Sequence, residues 1–166
     1  MELMVGVAMT AMLTTALLIL SSSTGRSLAE MVNYVDLDHY NRLALDNMTR
    51  ELRQVRDLTS YSIISVTCTD KDGLDLNYTY SPVNRTLTRT KNGRATVLLE
   101  QCDRFNFAIY QRTPLAKKYD LIPASSLANC KVIAVSWSCS RTLFGRKVNT
   151  EQGQTAKIVV RNKKEL

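Results

Sequence analysis

Apolar and uncharged residues fill the start of the chain, and the pattern changes twice further on. No charged side chain occurs from residue 3 to residue 25, and residues 3–20 (LMVGVAMTAMLTTALLIL) hold only one glycine and three threonines besides apolar residues. A helix of this length rises about 27 Å, close to the hydrocarbon core of a bilayer. The pattern predicts a membrane-spanning helix with apolar positions Leu3, Val5, Val7, Met9, Met12, Leu13, Leu17, Leu18 and Leu20.

After residue 25 the apolar positions return at helical spacing. Leu37, Leu45, Met48 and Leu52 lie on one face, Asn41 interrupts it, and charged residues occupy the other faces. Because no proline precedes Pro82, we expect one long helix, divided into a membrane and assembly part (residues 1–25) and an amphipathic part (residues 26–60). Residues 21–25 are serine, threonine and glycine, which predict a kink or a frayed turn.

From residue 61 onward, apolar and polar residues alternate with a period of two, which is typical of strands. The turn signals 70–73 (DKDG) and 92–93 (NG) each predict a hairpin. We predict strands at 61–69, 74–80, 86–90, 95–99, 105–109, 131–139 and 155–161, with loops at 111–129 and 140–154. The expected fold is α+β: a long N-terminal helix packed on a mostly antiparallel sheet of about six or seven strands, the sheet belonging to a domain of residues 61–166.

Composition excludes a disordered chain, and charge divides it into two parts. Hydrophobic residues make up 45% and charged residues 22%, both ordinary for globular proteins. Residues 1–57 carry five bases and seven acids, whereas residues 58–166 carry seventeen bases and eight acids. A basic surface can meet nucleic acid, anionic lipid or an acidic protein. A candidate contact patch lies around the Asn-Gly hairpin, at Arg85, Arg89, Lys91 and Arg94.

The pattern of cysteines favours a structural role over metal binding or catalysis. Cys68, Cys102, Cys130 and Cys139 show no Cys-x-x-Cys spacing, and the one histidine is His39 in the predicted helix, so a zinc site is disfavoured. If the strands at 102–110 and 131–139 pair antiparallel, Cys102 and Cys139 become neighbours and a candidate disulfide; the other two would form a second bridge or remain thiols. No catalytic or phosphate-binding motif occurs, so we predict no enzyme, no catalytic residue, no metal and no cofactor.

Glu2 precedes the apolar run, and a carboxylate at the edge of a membrane is costly without a partner. The stretch 2–9 (ELMVGVAM) resembles the N-terminal helix of type IV pilins and of the pseudopilins of type II secretion. The run 46–57 (DNMTRELRQVRD) resembles the corresponding part of J-type minor pseudopilins and W-type minor pilins. The chain departs from the family pattern before Glu2, where only Met1 stands in place of the cleavage-site Gly, the Phe and the basic leader.

The resemblance implies that Glu2 pairs with the N-terminal ammonium of an adjacent subunit. It implies other pilin or pseudopilin subunits as partners, N-terminal methylation, and location in the bacterial inner membrane with the C-terminal domain in the periplasm. A prepilin peptidase would be a further partner, if the true start lies upstream of Met1 and the leader is cleaved. The implied function is that of a minor pseudopilin, a structural or tip subunit of the pseudopilus in type II protein secretion.

Two other functions stay open. The first is a minor pilin of a type IV pilus that binds nucleic acid during DNA uptake through the basic patch; nucleic acid is not the favoured partner. The second is an unrelated single-pass membrane ectodomain, for which the sequons at Asn47, Asn77 and Asn84 are the main support.

Overall fold

A computed structural model describes residues 2–112, 120–149 and 154–161, and the side chains of Glu2 and of residues 146–149 lie outside this description. The fold is α+β, as predicted, with one long N-terminal helix followed by antiparallel strands. The elements are α1 (Glu2–Arg53), β1 (Asp57–Tyr61), β2 (Ser65–Thr69), β3 (Asp75–Ser81), β4 (Thr86–Lys91), β5 (Arg94–Leu99), β6 (Cys102–Arg112), β7 (Leu121–Pro123), a 3-10 turn (Leu127–Asn129), β8 (Val132–Leu143), β9 (Arg146–Asn149) and β10 (Gln154–Val159).

The strands form two sheets, where the sequence predicted one sheet of six or seven strands. The first sheet is a meander in the order β1-β2-β3-β4-β5, and the second has the order β10-β8-β6-β7 with β9 paired to β8. Every described strand pair is antiparallel. The extra strands lie in segments predicted as a single strand or as a loop.

The segment 61–69 is not one strand. The helix ends at Arg53 rather than near residue 60, and β1 already starts at Asp57. Just before β1, the backbone N–H of Arg56 donates to the carbonyl of Thr69 (2.8 Å) and holds the chain against β2. Between β1 and β2 the Ser62 hydroxyl accepts the backbone N–H groups of Ile64 (3.2 Å) and Ser65 (3.1 Å). A serine that accepts such bonds stabilises a turn, and here it separates the predicted strand into a hairpin.

The predicted loop 140–154 also contains regular structure. Strand β8 continues to Leu143, turns at Phe144 and Gly145, which both have positive φ (49° and 75°), and pairs with β9; residues 150–153 lie outside the described part. Within the predicted loop 111–129 the described residues include β7 and the 3-10 turn, and residues 113–119 are outside it. The Asn92-Gly93 hairpin forms as predicted, with positive φ at both positions (49° and 74°), which glycine and asparagine tolerate best.

The chain divides into two compact units, Met1–Asp36 and Leu37–Leu166. In the second unit, the helix residues Leu37, Ala44, Met48 and Leu52 are four or seven positions apart, which places them on one face of the helix, and they are buried. They join the core with side chains from both sheets, among them Val66, Leu76, Tyr78, Leu87, Phe105, Phe107, Ile133, Val135, Trp137 and Ile158. Burial of this apolar face holds the end of α1 against the strands.

Candidate membrane-spanning helix, ion pairs and cysteine pair

In the first unit, the apolar side chains are exposed. Among the residues that the structure describes, one helix is long and apolar enough to cross a membrane, and none of its most apolar window is buried. The exposed fractions run from 54% to 83% for the predicted positions Leu3, Val5, Val7, Met9, Met12, Leu13, Leu17, Leu18 and Leu20. A contiguous apolar surface of this kind requires a lipid or protein neighbour.

The polar side chains of this segment are satisfied inside the helix. The hydroxyls of Thr10, Thr14 and Thr15 donate to the carbonyls of the preceding turn, at Gly6 (2.7 Å), Thr10 (3.0 Å) and Ala11 (2.5 Å). In hydrocarbon every donor must find such an internal partner. The threonines are therefore compatible with a lipid environment.

The predicted weak point at residues 21–25 does not break the helix. The hydroxyls of Ser22 and Thr24 donate to the carbonyls of Ile19 and Leu20, both at 2.9 Å, and the helical backbone continues through Gly25. Hydroxyls that bond to carbonyls of the previous turn find an acceptor without ending the helix, and such bonds often bend a helix. The prediction of a frayed turn was wrong, and a kink at residues 21–25 stays a prediction.

Apolar exposure in the first unit reaches beyond the predicted span. Leu28, Met31, Val32 and Val35 are between 55% and 66% exposed, although they belong to the part that the sequence analysis treated as an amphipathic extension. Their spacing of three to four residues places them on one side of a helix. This second apolar surface was missed because Glu30 and the polar Asn33 interrupt it in the sequence.

Glu2 is the first residue of α1, and its side chain lies outside the described residues. Its pairing with an ammonium group remains a prediction. A carboxylate in the first turn of a helix suits the helix dipole.

The second unit contains an ion pair between the helix and the meander sheet that the sequence analysis did not anticipate. Arg89 on β4 donates to both carboxylate oxygens of Glu51, with Nε at 2.8 Å from Oε2 and Nη2 at 2.5 Å from Oε1. The hydroxyl of Tyr78, which lies opposite Arg89 on β3, donates to Oε2 at 2.5 Å. The side chains of Glu51 and Arg89 are only 14% and 22% exposed, so solvent screens the pair weakly.

The surroundings of this pair shift three pKa values. Burial by itself raises the pKa of Glu51, but the hydrogen bonds from Arg89 and Tyr78 outweigh it, so the pKa of Glu51 lies below its ordinary value. The hydrogen bond to Glu51 raises the pKa of Arg89. Burial and the Glu51 contact raise the pKa of Tyr78. Glu51 is thus held as a carboxylate that accepts from both neighbours.

Two more residues of the predicted basic patch are also paired inside the fold. Arg85 donates through Nη2 to Asp103 Oδ1 (2.5 Å) and to the carbonyl of Ser140 (3.1 Å), which joins the β3–β4 turn to the second sheet. Lys91 donates to Asp70 in the β2–β3 turn. Burial by itself raises the pKa of Asp70, but the hydrogen bond from Lys91 helps to outweigh burial, so the pKa of Asp70 lies below its ordinary value.

Arg94 is the exception in the predicted patch. It is exposed and pairs with no acidic side chain that the structure describes. Three of the four bases are therefore engaged in contacts between elements of the fold. Nucleic-acid phosphates bind basic side chains that are not already paired with acids. This arrangement therefore reduces the positive charge that the patch offers to nucleic acid.

Asn41 is a further residue whose role the sequence did not reveal. It is 5% exposed, and its Oδ1 accepts the indole N–H of Trp137 (2.9 Å) and the thiol of Cys139 (3.4 Å). The only signal was a polar residue in the middle of an apolar helix face. Asn41 fixes the register between α1 and β8, because a buried amide without these donors would be unsatisfied.

The structure brings together the two cysteines of the candidate disulfide. Cys102 on β6 and Cys139 on β8 are directly opposite in the strand register. All four cysteines are buried and are present as thiols. Cys68 lies opposite Leu58 and Leu76 on its two neighbouring strands, and its thiol donates to the carbonyl of Leu76 (3.4 Å).

Comparison with known proteins leaves the family open. No protein-family model matches the chain, and no curated protein matches it significantly. Within the described residues, no group of three or more His, Cys, Asp or Glu side chains is placed to hold a metal ion. The functional assignment therefore depends on the N-terminal helix, on the resemblance of residues 2–9 and 46–57, and on the α+β fold.

Proposed function

We propose that the chain is a pilin-like minor pseudopilin, a structural or tip subunit of a periplasmic pseudopilus in type II protein secretion. The observation that carries the proposal is a 52-residue helix that begins at Glu2, exposes its apolar side chains in the first unit and packs on antiparallel sheets in the second. The same order of elements is what the resemblance to pilins implies.

The first step is storage in the inner membrane. The exposed apolar residues of 3–20 would lie in hydrocarbon, and the internally bonded threonines fit that environment. The second unit, which has its own buried core, would lie in the periplasm.

The second step is exchange of lipid neighbours for other helices. Helices leave lipid for protein neighbours through close packing and polar contacts rather than through the hydrophobic effect. The apolar surface at Leu28, Met31, Val32 and Val35 supports this step, because it extends the exposed surface past the predicted span. Such a surface is suited to a neighbouring helix of the fibre.

The third step sets the alignment of subunits. In a medium of low dielectric a carboxylate without a cation is costly, whereas a complete pair is strong. Glu2 at the head of the helix would pair with the N-terminal ammonium of the adjacent subunit, and this contact would fix the axial register.

The test compares Glu2→Ala with Glu30→Ala, an exposed acid further along the same helix, in the native host. We expect Glu2→Ala to remain in the membrane fraction and to fall at least tenfold in the sheared fibre fraction, while Glu30→Ala behaves as the wild type. Normal incorporation of Glu2→Ala would contradict the pairing and would favour an unrelated single-pass ectodomain.

A further inference from the structure

Cys102 and Cys139 occupy a position in the second sheet where two strands approach closely. The backbone N–H of Ser140 donates to the carbonyl of Gln101 (3.0 Å). The backbone N–H of Cys102 donates to the carbonyl of Arg85 (2.8 Å) and not to β8. A backbone bond that flanks two opposite residues marks them as a non-hydrogen-bonded pair, for which the Cα separation in a regular ladder is about 4.5 Å. The register of β6 shifts directly after this pair, between Cys102 and Arg104. Disulfides span Cα separations of about 4.4–6.8 Å.

The two side chains also point to the same place. Residues directly opposite on antiparallel strands project from the same face of a sheet. Cys102 and Cys139 are 0% and 2% exposed and belong to the same core cluster. The interaction between the two side chains lowers the pKa of Cys102 and raises the pKa of Cys139.

We propose that Cys102 and Cys139 form a disulfide bond that joins β6 to β8, made by a thiol–disulfide oxidant before the second sheet closes. The Cys102 thiolate attacks one sulfur of the oxidant's disulfide and releases the other as a thiolate. The Cys139 thiolate then attacks the Cys102 sulfur of the mixed disulfide. Two protons and two electrons leave the pair, and the oxidant becomes a dithiol.

The surrounding hydrogen bonds tolerate this bond. Oxidation removes two thiol hydrogens, so Cys102 no longer donates to the carbonyl of Arg104 (3.1 Å) and Cys139 no longer donates to Asn41. Asn41 Oδ1 still accepts the indole N–H of Trp137 at 2.9 Å. The buried amide therefore keeps a donor after oxidation.

The choice of partner distinguishes a bond directed by the fold from a random one. In an unfolded chain, loop closure favours the shortest loop, which joins Cys130 to Cys139, nine positions apart. The folded register instead places Cys139 opposite Cys102. Cys68 lies opposite Leu58 and Leu76, so the register offers it no cysteine partner.

The test refolds the full chain from urea and dithiothreitol into detergent micelles containing oxidised glutathione, and then blocks remaining thiols with iodoacetamide. Trypsin places each cysteine on a separate peptide, and we expect mass spectrometry to find peptides 95–104 and 132–141 linked. The thermal midpoint should exceed that of the reduced chain by about 10 °C. Alkylation of both Cys102 and Cys139, or a predominant link between Cys130 and Cys139, would overturn the proposal.

Two variants complete the test. Cys68→Ala should keep the linked peptides and the redox-dependent shift of the midpoint, whereas Cys139→Ala should lose both. A redox-dependent shift that persists in Cys139→Ala would show that another pair is responsible. If Cys139→Ala does not fold, the peptide map of the wild type still decides the question.

Discussion

The two units of the chain differ in the exposure of their apolar side chains. In Met1–Asp36, large apolar residues such as Leu13 and Leu17 are more than 60% exposed, whereas in Leu37–Leu166 residues such as Met48 and Leu52 are fully buried. Both sets belong to one helix. The difference shows that helix formation and burial are separate problems: the second set is covered by strands of the same chain, and the first requires a neighbour from outside it.

The polar contacts differ in the same sense. In the first unit the described hydroxyl bonds stay within the helix, as for Thr10 and Thr14, and connect residues three or four apart. In the second unit, Arg89 reaches Glu51 and Arg85 reaches Asp103 across different elements. The first pattern suits a segment that changes neighbours, and the second holds one fixed arrangement.

The largest effect is expected from charges in the first unit. Leu13→Arg combined with Leu17→Arg should release the full chain from membranes, because each arginine at the centre of a span costs about 3 kcal/mol. Extraction with alkaline carbonate measures the membrane-bound fraction. Ser22→Arg combined with Thr24→Arg places the same charges beyond residue 20 and should leave the chain bound; release of both variants alike would argue against a span at residues 3–20.

An intermediate effect is expected from the ion pair between helix and meander sheet. Arg89→Met should lower the free energy of unfolding by about 3 kcal/mol, because it leaves the Glu51 carboxylate partly buried without its cation. Urea unfolding in micelles can be followed through Trp137, the single tryptophan. The matched control is Arg94→Met on the same hairpin, which should change the free energy by less than about 0.5 kcal/mol. Equal losses in both variants would contradict a specific role for Arg89.

The smallest effect is expected from acid. The pKa values of Glu51 and Asp70 lie below their ordinary values of 4.5 and 3.8. The unfolded state therefore takes up protons first, and the stability from these carboxylates is complete above about pH 5 and is lost as the pH falls through the lowered values. Thermal midpoints between pH 7 and pH 3 should fall less steeply for Glu51→Gln combined with Asp70→Asn than for the wild type. Parallel profiles would count against this origin of acid sensitivity.

Local signals explain how much of the fold was predictable. The apolar run at 3–20 is a matter of composition, and the Asn92-Gly93 turn needs only two residues that tolerate positive φ. The Phe144-Gly145 turn was missed because an aromatic residue at positive φ is uncommon. The turn at Ser62 was missed because it interrupts a run of good strand formers.

The ion pair and the buried amide contact could not be predicted from local signals, because they join residues far apart in the sequence. Glu51 and Arg89 are 38 positions apart, and Trp137 and Asn41 are 96 apart. Only the packing of the helix on the strands brings these residues together. In the sequence alone, Glu51 and Arg89 therefore look like ordinary surface charges. The placement of Cys102 opposite Cys139 could be predicted, because it follows from the antiparallel pairing of two strands whose ends can be located in the sequence.

The most direct test of a membrane-anchored chain with an external second unit uses Val83→Cys in bacterial spheroplasts. Val83 is 91% exposed, whereas the four native cysteines are buried, so the wild type is the unlabelled control. A maleimide that cannot cross membranes should label Val83→Cys in intact spheroplasts, in a chain that carbonate does not extract. Labelling only after the membrane is permeabilised would contradict a periplasmic second unit.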